Sequence, residues 1–320
     1  MKRVCVVGCG AIGSLYAAHL ARVAEVWGFV RRQEHADALN REGLWVSGGH
    51  EFHVKLKATT RAEELPECDL GIVATKATQV AQSMAEIGPR FDNGAVLSAQ
   101  NGLGSEEIIA ACTRGQVIRG TTFMSGTRHS DTHVQYELDT ATWLGPFEPR
   151  NTPFPMVEQV ADLIITGGLK AEALRDARPA QWSKLIFNAS VNGVSALTGL
   201  PHSPHFAEES QFSDLGHLLH ELIEEGKRVA AAVGVQLHED PWAMNKIGAA
   251  TNHPPSMLYD IRHQLPTEVD FLSGAIAREA QCAGVPAPLH ATVYRLIKGR
   301  EASWTFKDEN QPVAVDGKGC

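Results

Sequence analysis

The sequence has no long hydrophobic run, few cysteines and no excess of positive charge, and each of these absences argues against a class of protein. No apolar stretch approaches the roughly 18 residues that a membrane-spanning helix needs. The net charge is −8 and no basic stripe is present, so nucleic acid is not an expected partner. The six cysteines are scattered without a C-x-x-C pair, which favours free thiols in a reducing cytoplasm. The 320 residues, 43% apolar and 21% charged, are typical of a globular chain with two domains.

Two histidine pairs have a spacing that is found in metal sites, namely His202 with His205 and His217 with His220. Neither pair has a clear third ligand nearby, and Pro204 interrupts the first pair. Because metal sites in proteins are built from at least three protein ligands, we expect no metal.

The strongest motif lies at the start of the chain, where residues 4–13 read V-C-V-V-G-C-G-A-I-G. In a strand–turn–helix unit, Gly8 makes the tight turn, Gly10 lets a pyrophosphate approach the backbone, and Gly13 lets the helix pack on the strand. The N–H groups at the helix N-terminus attract phosphate. A turn that binds nothing is the alternative, and a signal peptide is disfavoured because glycines interrupt the apolar stretch. The loop residues predicted to bind a dinucleotide are Gly8, Cys9, Gly10, Ala11, Ile12 and Gly13.

The residues after the second predicted strand indicate which dinucleotide is bound. An NAD enzyme usually carries Asp or Glu at the end of this strand, where it binds the ribose 2′-hydroxyl. Here Arg31 and Arg32 follow the strand instead. A guanidinium can bind a 2′-phosphate with two parallel hydrogen bonds. We predict NADP(H) with Arg31 as the main contact, while the alternative is that both arginines are solvated loop residues.

The first half of the chain alternates strands and helices, whereas the second half is helical. Strands or extended pieces are predicted at 4–7, 25–30, 44–47, 51–56, 69–75, 94–100, 117–123, 134–138 and 142–144. Helices are predicted at 33–41, 78–87, 105–112, 153–165, 179–197, 207–233, 267–284 and 288–298. This pattern predicts an α/β fold: an N-terminal Rossmann-type, doubly wound parallel sheet, with or without an antiparallel edge, and an all-helical C-terminal domain. The expected domains are an NADP-binding domain at 1–175 and a helical substrate and catalytic domain at 176–320.

A polar stripe crosses an otherwise apolar helix in the second half. Lys184, Asn188 and Asn192 are spaced i, i+4 and i+8, so they share one helix face. An exposed face would normally be rich in Glu and Lys, whereas one lysine with two amides is more typical of a cleft lining. The lysine can donate a proton, and the amides can orient a carbonyl or hydroxyl. The alternative is a stripe that simply faces solvent.

Three further residues have positions that could serve a site. Lys76 and Asn101 each follow the carboxyl end of a predicted strand, where open α/β sheets bind their ligands. Thr267 and Asp270 form a T-x-x-D pattern that predicts a helix start, with Glu268 in the first turn. From the residues alone, Glu268 would only complement the helix dipole.

Five motifs occur in order along the chain and together resemble one family. They are G-C-G-A-I-G at 8–13, T-K-A-T-Q at 75–79, Q-N-G-L-G at 100–104, K-L-I-F-N-A-S-V-N at 184–192, and S-M-L-Y-D with T-E-V-D-F between 256 and 271. The combination is similar to the 2-dehydropantoate 2-reductase, or ketopantoate reductase, family over roughly residues 1–300.

The resemblance implies NADPH-dependent reduction of 2-dehydropantoate to (R)-pantoate in a cleft between the two domains. It implies that Lys184 is the general acid and that Glu268 binds and orients the substrate. The remaining residues that it implies are Asn188, Asn192 and Ser256 in the substrate pocket, Lys76 and Asn101 near the nicotinamide, and Arg31 at the 2′-phosphate. One departure concerns Asn252, which lies further from Ser256 than the asparagine that is usual in the family, so its contact with substrate stays open.

Two alternatives remain. A paralogous enzyme could reduce another 2-oxo acid with the same chemistry, because the motifs fix the reaction better than the substrate. A non-catalytic NADP-binding regulator would keep the glycine loop but lose Lys184 and Glu268, both of which are present. The expected partner is a small 2-oxo acid, with no nucleic acid and no membrane, and the sequence leaves open whether the chain forms a homodimer.

Overall fold

The computed structural model describes residues 1–208, 213–250 and 254–305, and this part of the chain contains twelve strands and eleven α-helices. The strands are β1 (Arg3–Val7), β2 (Glu25–Phe29), β3 (Leu44–Gly48), β4 (Phe52–Val54), β5 (Lys57–Thr59), β6 (Leu70–Val73), β7 (Ala95–Ser98), β8 (Gln116–Thr122), β9 (Ser125–Ser130), β10 (His133–Leu138), β11 (Thr142–Pro146) and β12 (Ala171–Ala173). The helices are α1 (Ala11–Leu20), α2 (Gln33–Glu42), α3 (Val80–Ile87), α4 (Ser105–Cys112), α5 (Phe154–Thr166), α6 (Arg178–Thr198), α7 (Asp214–Ala232), α8 (Pro241–Ala249), α9 (Ser256–Arg262), α10 (Ser273–Ala283) and α11 (Pro288–Ser303). Short 3₁₀ turns lie at Ala62–Glu64, Ala77–Gln79, Gly88–Phe91, Glu148–Arg150 and Pro204–Phe206.

Eight strands form the main sheet in the order β12-β11-β8-β7-β6-β1-β2-β5. The first strand lies inside the sheet and pairs in parallel with β2 and β6. Strand β11 runs antiparallel to β8, with Thr142 opposite Thr122. The α/β prediction and its doubly wound sheet are therefore confirmed, and the sheet does include an antiparallel strand.

Helices cover both faces of this sheet, as the continuous apolar runs require. Val4 and Val6 belong to the hydrophobic core that includes residues of α1 and α5. Cys5 and Val7 belong to the opposite core, which includes residues of α3 and α4. Alternate side chains of β1 thus enter different cores, because successive residues of a strand point to opposite faces. This double burial fixes the strand whose carboxyl end carries the glycine loop.

Four other strands form a separate sheet in the order β4-β3-β10-β9, which packs against α1. The extended pieces predicted at 44–47, 51–56 and 134–138 belong to it. Strand β9 was not predicted, because S-G-T-R-H-S carries no apolar alternation. It is held by antiparallel pairing with β10 instead.

The second half is helical among its described residues, apart from the edge strand β12, which ends at Ala173. Helix α6 lies in the middle and packs against α7, α8, α9, α10 and α11. Its apolar residues, including Leu185, Ile186 and Val194, are buried in a core of their own. None of the described helices is long and apolar enough to cross a bilayer.

Two helix starts differ from the prediction by more than two residues. Helix α7 begins at Asp214 rather than at 207, since Ser213 caps it by accepting a hydrogen bond from the Gly216 amide; residues 209–212 lie outside the described residues. The T-x-x-D prediction was wrong, because α10 begins at Ser273. The Thr267 hydroxyl does accept from the Val269 amide and also donates to Glu301, but residues 268–272 continue as an irregular turn rather than as a helix.

Strands β5 and β12 and helices α8 and α9 were also not predicted. Each is short, between three and nine residues, so a local pattern is weak. Helix α8 did carry a signal: Asp240 caps it by accepting from the Trp242 and Ala243 amides, and Pro241 occupies its first position.

Candidate active site

The glycine loop joins β1 to α1 with the geometry that its sequence predicts. A Cβ atom on Gly13 would lie 1.9 Å from the Gly8 carbonyl oxygen, so the close approach of helix to strand requires glycine there. A Cβ atom on Gly10 would meet nothing within 4 Å among the described residues, which leaves room for a ligand. Within this part of the chain α1 has no side-chain cap and no acid in its first turn. Its amide groups therefore present a site that suits a pyrophosphate.

Cys9 fills space inside this loop. It is 3% exposed, and its Sγ atom would lie 3.0 Å from a Cβ atom added to Gly28 of the neighbouring strand. Burial raises the pKa of the Cys9 thiol to about 12. The residue stays protonated at neutral pH and packs as a small apolar group.

The two arginines after β2 have different surroundings. Arg32 donates to the Asp131 carboxylate at 2.5 Å, and Arg128 binds the same carboxylate at 2.7 Å. Arg31 is exposed and, within the part of the chain that the structure describes, makes no hydrogen bond or ion pair. It borders a cavity of about 300 Å³ that extends to Gly8 and Thr75. The guanidinium of Arg31 is thus available to an anion in this cavity, whereas that of Arg32 is engaged.

The loops after β6 and β7 meet the helical half at the carboxyl edge of the sheet. Lys76 forms an ion pair with Asp260 of α9, so its expected position near the nicotinamide stays a prediction. Asn101 accepts a hydrogen bond from Asn188 of α6 at 3.4 Å. Gln100, which the sequence did not single out, donates to the Val73 carbonyl at 2.7 Å and ties the two loops together.

Close packing explains why the Q-N-G-L-G loop has a glycine at position 102. Gly102 has a φ of +90°, and an added Cβ atom would lie 2.0 Å from the Phe271 carbonyl oxygen. The Leu103 amide donates to that same carbonyl at 3.0 Å. The backbone of the sheet half thus touches the backbone of the helical half one residue after Asn101.

The polar stripe of α6 is not a solvated face. Lys184 is partly buried, and its Nζ donates to the Thr122 carbonyl at the end of β8. Burial lowers the pKa of Lys184 to about 8, against the opposing effect of the Glu268 charge. The residue remains mostly protonated at neutral pH but releases its proton far more readily than an exposed lysine.

The far end of the stripe meets α9. The amide oxygen of Asn192, a buried residue, accepts hydrogen bonds from the Met257 amide at 3.1 Å and from the Ser256 hydroxyl at 3.3 Å. Asn192 therefore caps α9 from a different helix. The structure brings Asn192 and Ser256 together as the substrate-pocket prediction requires, while Asn252 lies outside the described residues.

Glu268 lies in the irregular turn between α9 and α10, not in a helix. It is 9% exposed, and its Oε1 accepts a hydrogen bond from the Ala77 amide at 2.8 Å. Burial raises the pKa of its carboxyl, against the opposing effects of the Ala77 amide and the Lys76 charge. The helix-dipole interpretation is therefore wrong, because Glu268 is outside the first turn of α10. The acid instead spans from the helical half to the loop after β6.

An aromatic cluster borders Lys184. Its Nζ lies 5.3 Å from the centroid of the Phe123 ring, which follows β8. That ring contacts Phe187 of α6 and Trp143 of β11 at centroid distances of 6.1 and 6.2 Å. All three aromatic side chains are only partly buried. The cluster gives the ammonium an apolar neighbour on one side.

The residues at this edge can together carry out proton donation to a small polar ligand. Lys184 supplies an ammonium, Asn188 and Asn101 supply amides, and Glu268 supplies an acceptor. The described residues contain no group of three or more His, Cys, Asp or Glu side chains that could hold a metal ion. His202 of the first histidine pair interacts with Asn245 at 2.9 Å.

Comparisons with known proteins identify the family to which the chain belongs. The chain matches the family described as ketopantoate reductase PanE/ApbA over residues 4–149, and its C-terminal counterpart over residues 176–301. It is 28% identical over 302 residues, 94% of this chain and 99% of the relative, to a protein of Archaeoglobus fulgidus named 2-dehydropantoate 2-reductase. A protein of the same name from Pyrococcus abyssi is 29% identical over 94% of this chain and 98% of its own length.

Solved structures show the same fold. A PanE/ApbA family ketopantoate reductase from Ralstonia eutropha superposes with a TM-score of 0.83 at 24% identity, covering 94% of this chain and 99% of the other. A D-mandelate dehydrogenase, solved with NADH and anilino(oxo)acetate, gives a TM-score of 0.84 at 24% identity with the same coverage. At these identities the likeness establishes the fold.

Proposed function

Since the chain belongs to the ketopantoate reductase PanE/ApbA family of oxidoreductases, we propose that it reduces 2-dehydropantoate to (R)-pantoate, with NADPH as its cofactor, in pantothenate biosynthesis. The observation that carries the proposal is Lys184. It is partly buried where β8 ends, its pKa is lowered to about 8, and the two amides and Glu268 lie around it. The residues fit a dinucleotide, because the uncapped α1 N-terminus and the open face of Gly10 leave space for a pyrophosphate.

The cofactor and substrate are assigned to different parts of the chain. We assign the cofactor to residues 1–175, with the glycine loop at its pyrophosphate, Arg31 at its 2′-phosphate, and Lys76 and Asn101 toward its nicotinamide. When bound, NADPH supplies the hydride. Residues 176–320 hold the substrate, with Asn188, Asn192 and Ser256 lining the pocket. The two parts meet where Glu268 accepts from the Ala77 amide, so a substrate held there would lie between them.

Lys184 acts as the general acid of the proposed reaction. Its ammonium donates a proton to the ketone oxygen as negative charge develops there, and the lysine is left neutral. Its low pKa makes that transfer easier than it would be from an exposed lysine. Glu268 orients the substrate by accepting a hydrogen bond, which a carboxylate of raised pKa in a buried site can do while it remains ionised. The amides of Asn188 and Asn192 fix the orientation of the remaining polar groups.

One observation favours a second candidate substrate. The partly buried cluster of Phe123, Phe187 and Trp143 beside Lys184 offers an apolar wall. Such a wall suits a 2-oxo acid with a larger apolar side chain than that of 2-dehydropantoate. The same residues would carry out the same reduction.

The test is the oxidation of NADPH by the purified protein, followed with 2-dehydropantoate and with a series of 2-oxo acids of increasing side-chain size. The highest kcat/KM with 2-dehydropantoate supports the first assignment, whereas a higher value with a bulkier 2-oxo acid supports the second. Absence of turnover with every 2-oxo acid contradicts both. The scattered cysteines support a cytoplasmic location, which fractionation of cells tests directly.

A further inference from the structure

The turn that carries Glu268 is held on both sides by side chains of α11. Before Glu268, the backbone N–H and the hydroxyl of Thr267 both donate to Oε1 of Glu301, at 2.8 and 2.7 Å. After it, the carboxylate of Asp270 accepts from the Tyr294 hydroxyl at 2.9 Å and from the Lys298 ammonium at 3.1 Å. One helix therefore grips the residues immediately around the acid.

The three gripping residues of α11 form one connected set. Tyr294, Lys298 and Glu301 are spaced i, i+4 and i+7, which places them on one face of the helix. Lys298 also donates to the second oxygen of Glu301 at 3.0 Å. Lys298 is 42% exposed, so its ion pairs contribute little by themselves, whereas the Glu301 side chain is 15% exposed. Glu301 is thus the member on which the turn depends most.

The later part of the turn has backbone hydrogen bonds of its own, since the Phe271 and Leu272 amides donate to the Glu268 carbonyl at 3.0 and 3.2 Å, whereas the Thr267 amide donates to Glu301. Residues 267–272 form neither a helix nor a strand. The Thr267 residue is 1% exposed, so its amide would be left buried without an acceptor if Glu301 were removed. A buried amide without an acceptor raises the free energy of the folded chain, so the turn would move until the Thr267 amide found another partner.

The helix that grips the turn is itself anchored. The carboxylate of Glu225, a buried residue of α7, accepts from the Leu289 amide at 3.1 Å and the His290 amide at 2.8 Å at the start of α11. A carboxylate at a helix N-terminus satisfies free amides and complements the dipole. Helix α11 is therefore anchored to α7 at its N-terminal end.

We propose that Glu301 is a positioning residue for Glu268. Through Thr267 it sets where the Glu268 carboxylate lies, and so it controls how tightly the 2-oxo acid is held. The inference rests on the substrate-orienting function proposed for Glu268. Sites of this kind require their reacting groups to be held to within about 0.5 Å, and a displacement of about 1 Å can cost a hundred-fold in rate.

The test compares substitutions of Glu301 with a neighbouring control. In Glu301→Ala we expect kcat/KM for the 2-oxo acid to fall about ten- to a hundred-fold, mainly through KM, while the Kd for NADPH changes less than about twofold. Glu301→Gln keeps an amide oxygen that can accept from both Thr267 donors, so it should recover most of the loss. The control Arg300→Ala alters an exposed residue of the same helix and should match wild type.

A second readout does not depend on activity. The Ala77 amide donates to Glu268, so its hydrogen exchange reports whether the acid stays in place. Exchange at Ala77 should become faster in Glu301→Ala and stay near the wild-type rate in Glu301→Gln. If Glu301→Ala does not fold, Thr267→Val, which loses the hydroxyl but keeps the amide, should show a smaller change in the same direction.

The outcomes separate the two proposals. Unchanged exchange at Ala77 and unchanged KM in Glu301→Ala would overturn the positioning role, as would equal damage in Glu301→Ala and Glu301→Gln. If wild type reduces no 2-oxo acid, the proposed function fails. In that case faster exchange at Ala77 in Glu301→Ala alone would still show that Glu301 positions the acid.

Discussion

At the scale of single residues, Lys184 has the clearest chemical signature. It combines partial burial, a position on α6 next to the carboxyl end of β8, and a lowered pKa, and such a combination is enriched at functional sites. Lys184→Ala should lower kcat by about 10²- to 10⁴-fold, the usual contribution of a general acid. The Kd for NADPH should stay the same. Retention of near-wild-type kcat would rule out the assignment.

The pH dependence of the reaction follows from the same residue. Burial lowers the pKa of Lys184 to about 8, and only its protonated form can act as the acid. Reduction should therefore be constant near neutral pH and fall as the pH rises through about 8. The check is kcat/KM for the 2-oxo acid between pH 6 and pH 10 at saturating NADPH. A profile that stays flat to pH 10 would show that another group donates the proton.

Arg31 and Arg32 should differ although they are adjacent. Arg31→Ala should weaken NADPH binding about ten- to a hundred-fold and leave NADH nearly unaffected, because only NADPH has the 2′-phosphate. Arg32→Ala is the matched control, since Arg32 is already paired with Asp131. The measurement is kcat/KM with both cofactors for each variant and for the double variant. A wild-type preference for NADH, or equal loss with both cofactors in Arg31→Ala, would contradict the 2′-phosphate assignment.

At the scale of elements, the loop after β7 shows how backbone contacts align the two halves. Gly102→Ala should destabilise the protein by more than the about 1–2 kcal/mol of a left-handed backbone, because its Cβ would also collide with the Phe271 carbonyl at 2.0 Å. Gly104 has a φ of +106°, but a Cβ atom added there would lie 3.7 Å from the Phe271 ring, which is an ordinary contact. Gly104→Ala therefore measures the free-energy cost of the left-handed backbone alone. Denaturant unfolding of both variants measures the difference. Equal destabilisation would show that the contact with Phe271 is not tight.

The same elements show what sequence reasoning can reach. The glycine loop and most of α6 follow from patterns within about 20 residues, and so both were predicted closely. Strand β9 was missed because its stability comes from pairing rather than from its own residues. The predicted start of α10 was wrong because residues 267–272 form an irregular turn, whose partners include Glu301 and the Ala77 amide, both far along the chain. Long-range partners of this kind leave no local signal, so the structure was needed to find them.

At the scale of the whole molecule, the site is made of contacts between the two halves. Asp260 pairs with Lys76, Glu268 accepts from the Ala77 amide, and Asn188 donates to Asn101. Of the side chains in these contacts, only that of Asp260 was not singled out from the sequence. We propose that the cofactor and the substrate bind next to these contacts, and the variants described here test that proposal.

The buried carboxylate of Glu268 should lower the stability of the fold while it supports activity. Burial raises the pKa of its carboxyl, so the folded chain keeps a proton that the unfolded chain has released. The free energy of unfolding should therefore decrease as the pH rises from the ordinary pKa of the carboxyl in the unfolded chain to its raised pKa in the folded chain. Above the raised pKa this contribution no longer changes with pH. Glu268→Gln removes the buried charge and can still accept from the Ala77 amide. It should lose activity about ten- to a hundred-fold, from the loss of a charged hydrogen bond, without losing stability at pH 8.

Melting temperatures of wild type and Glu268→Gln at pH 5 and pH 8 provide the check. The melting temperature of Glu268→Gln should exceed that of wild type by more at pH 8 than at pH 5, because the wild-type carboxyl binds a proton more often at pH 5. A variant that melts lower than wild type at pH 8 would show that the carboxylate charge stabilises the fold. The Kd for NADPH should be the same in both proteins.

The hydrogen bonds between α11 and the turn around Glu268 have a consequence for the order in which the chain folds during synthesis. A ribosome releases the polypeptide from its N-terminus, and domains fold as units during synthesis. Every described strand lies before residue 174, so the glycine loop and Arg31 are available early. Glu301 is translated 34 residues after Thr267, and until then the Thr267 amide lacks the acceptor that it has in the folded chain. The part of the chain that we propose for the dinucleotide is therefore complete before the residue that we propose to position the substrate-binding acid has been made.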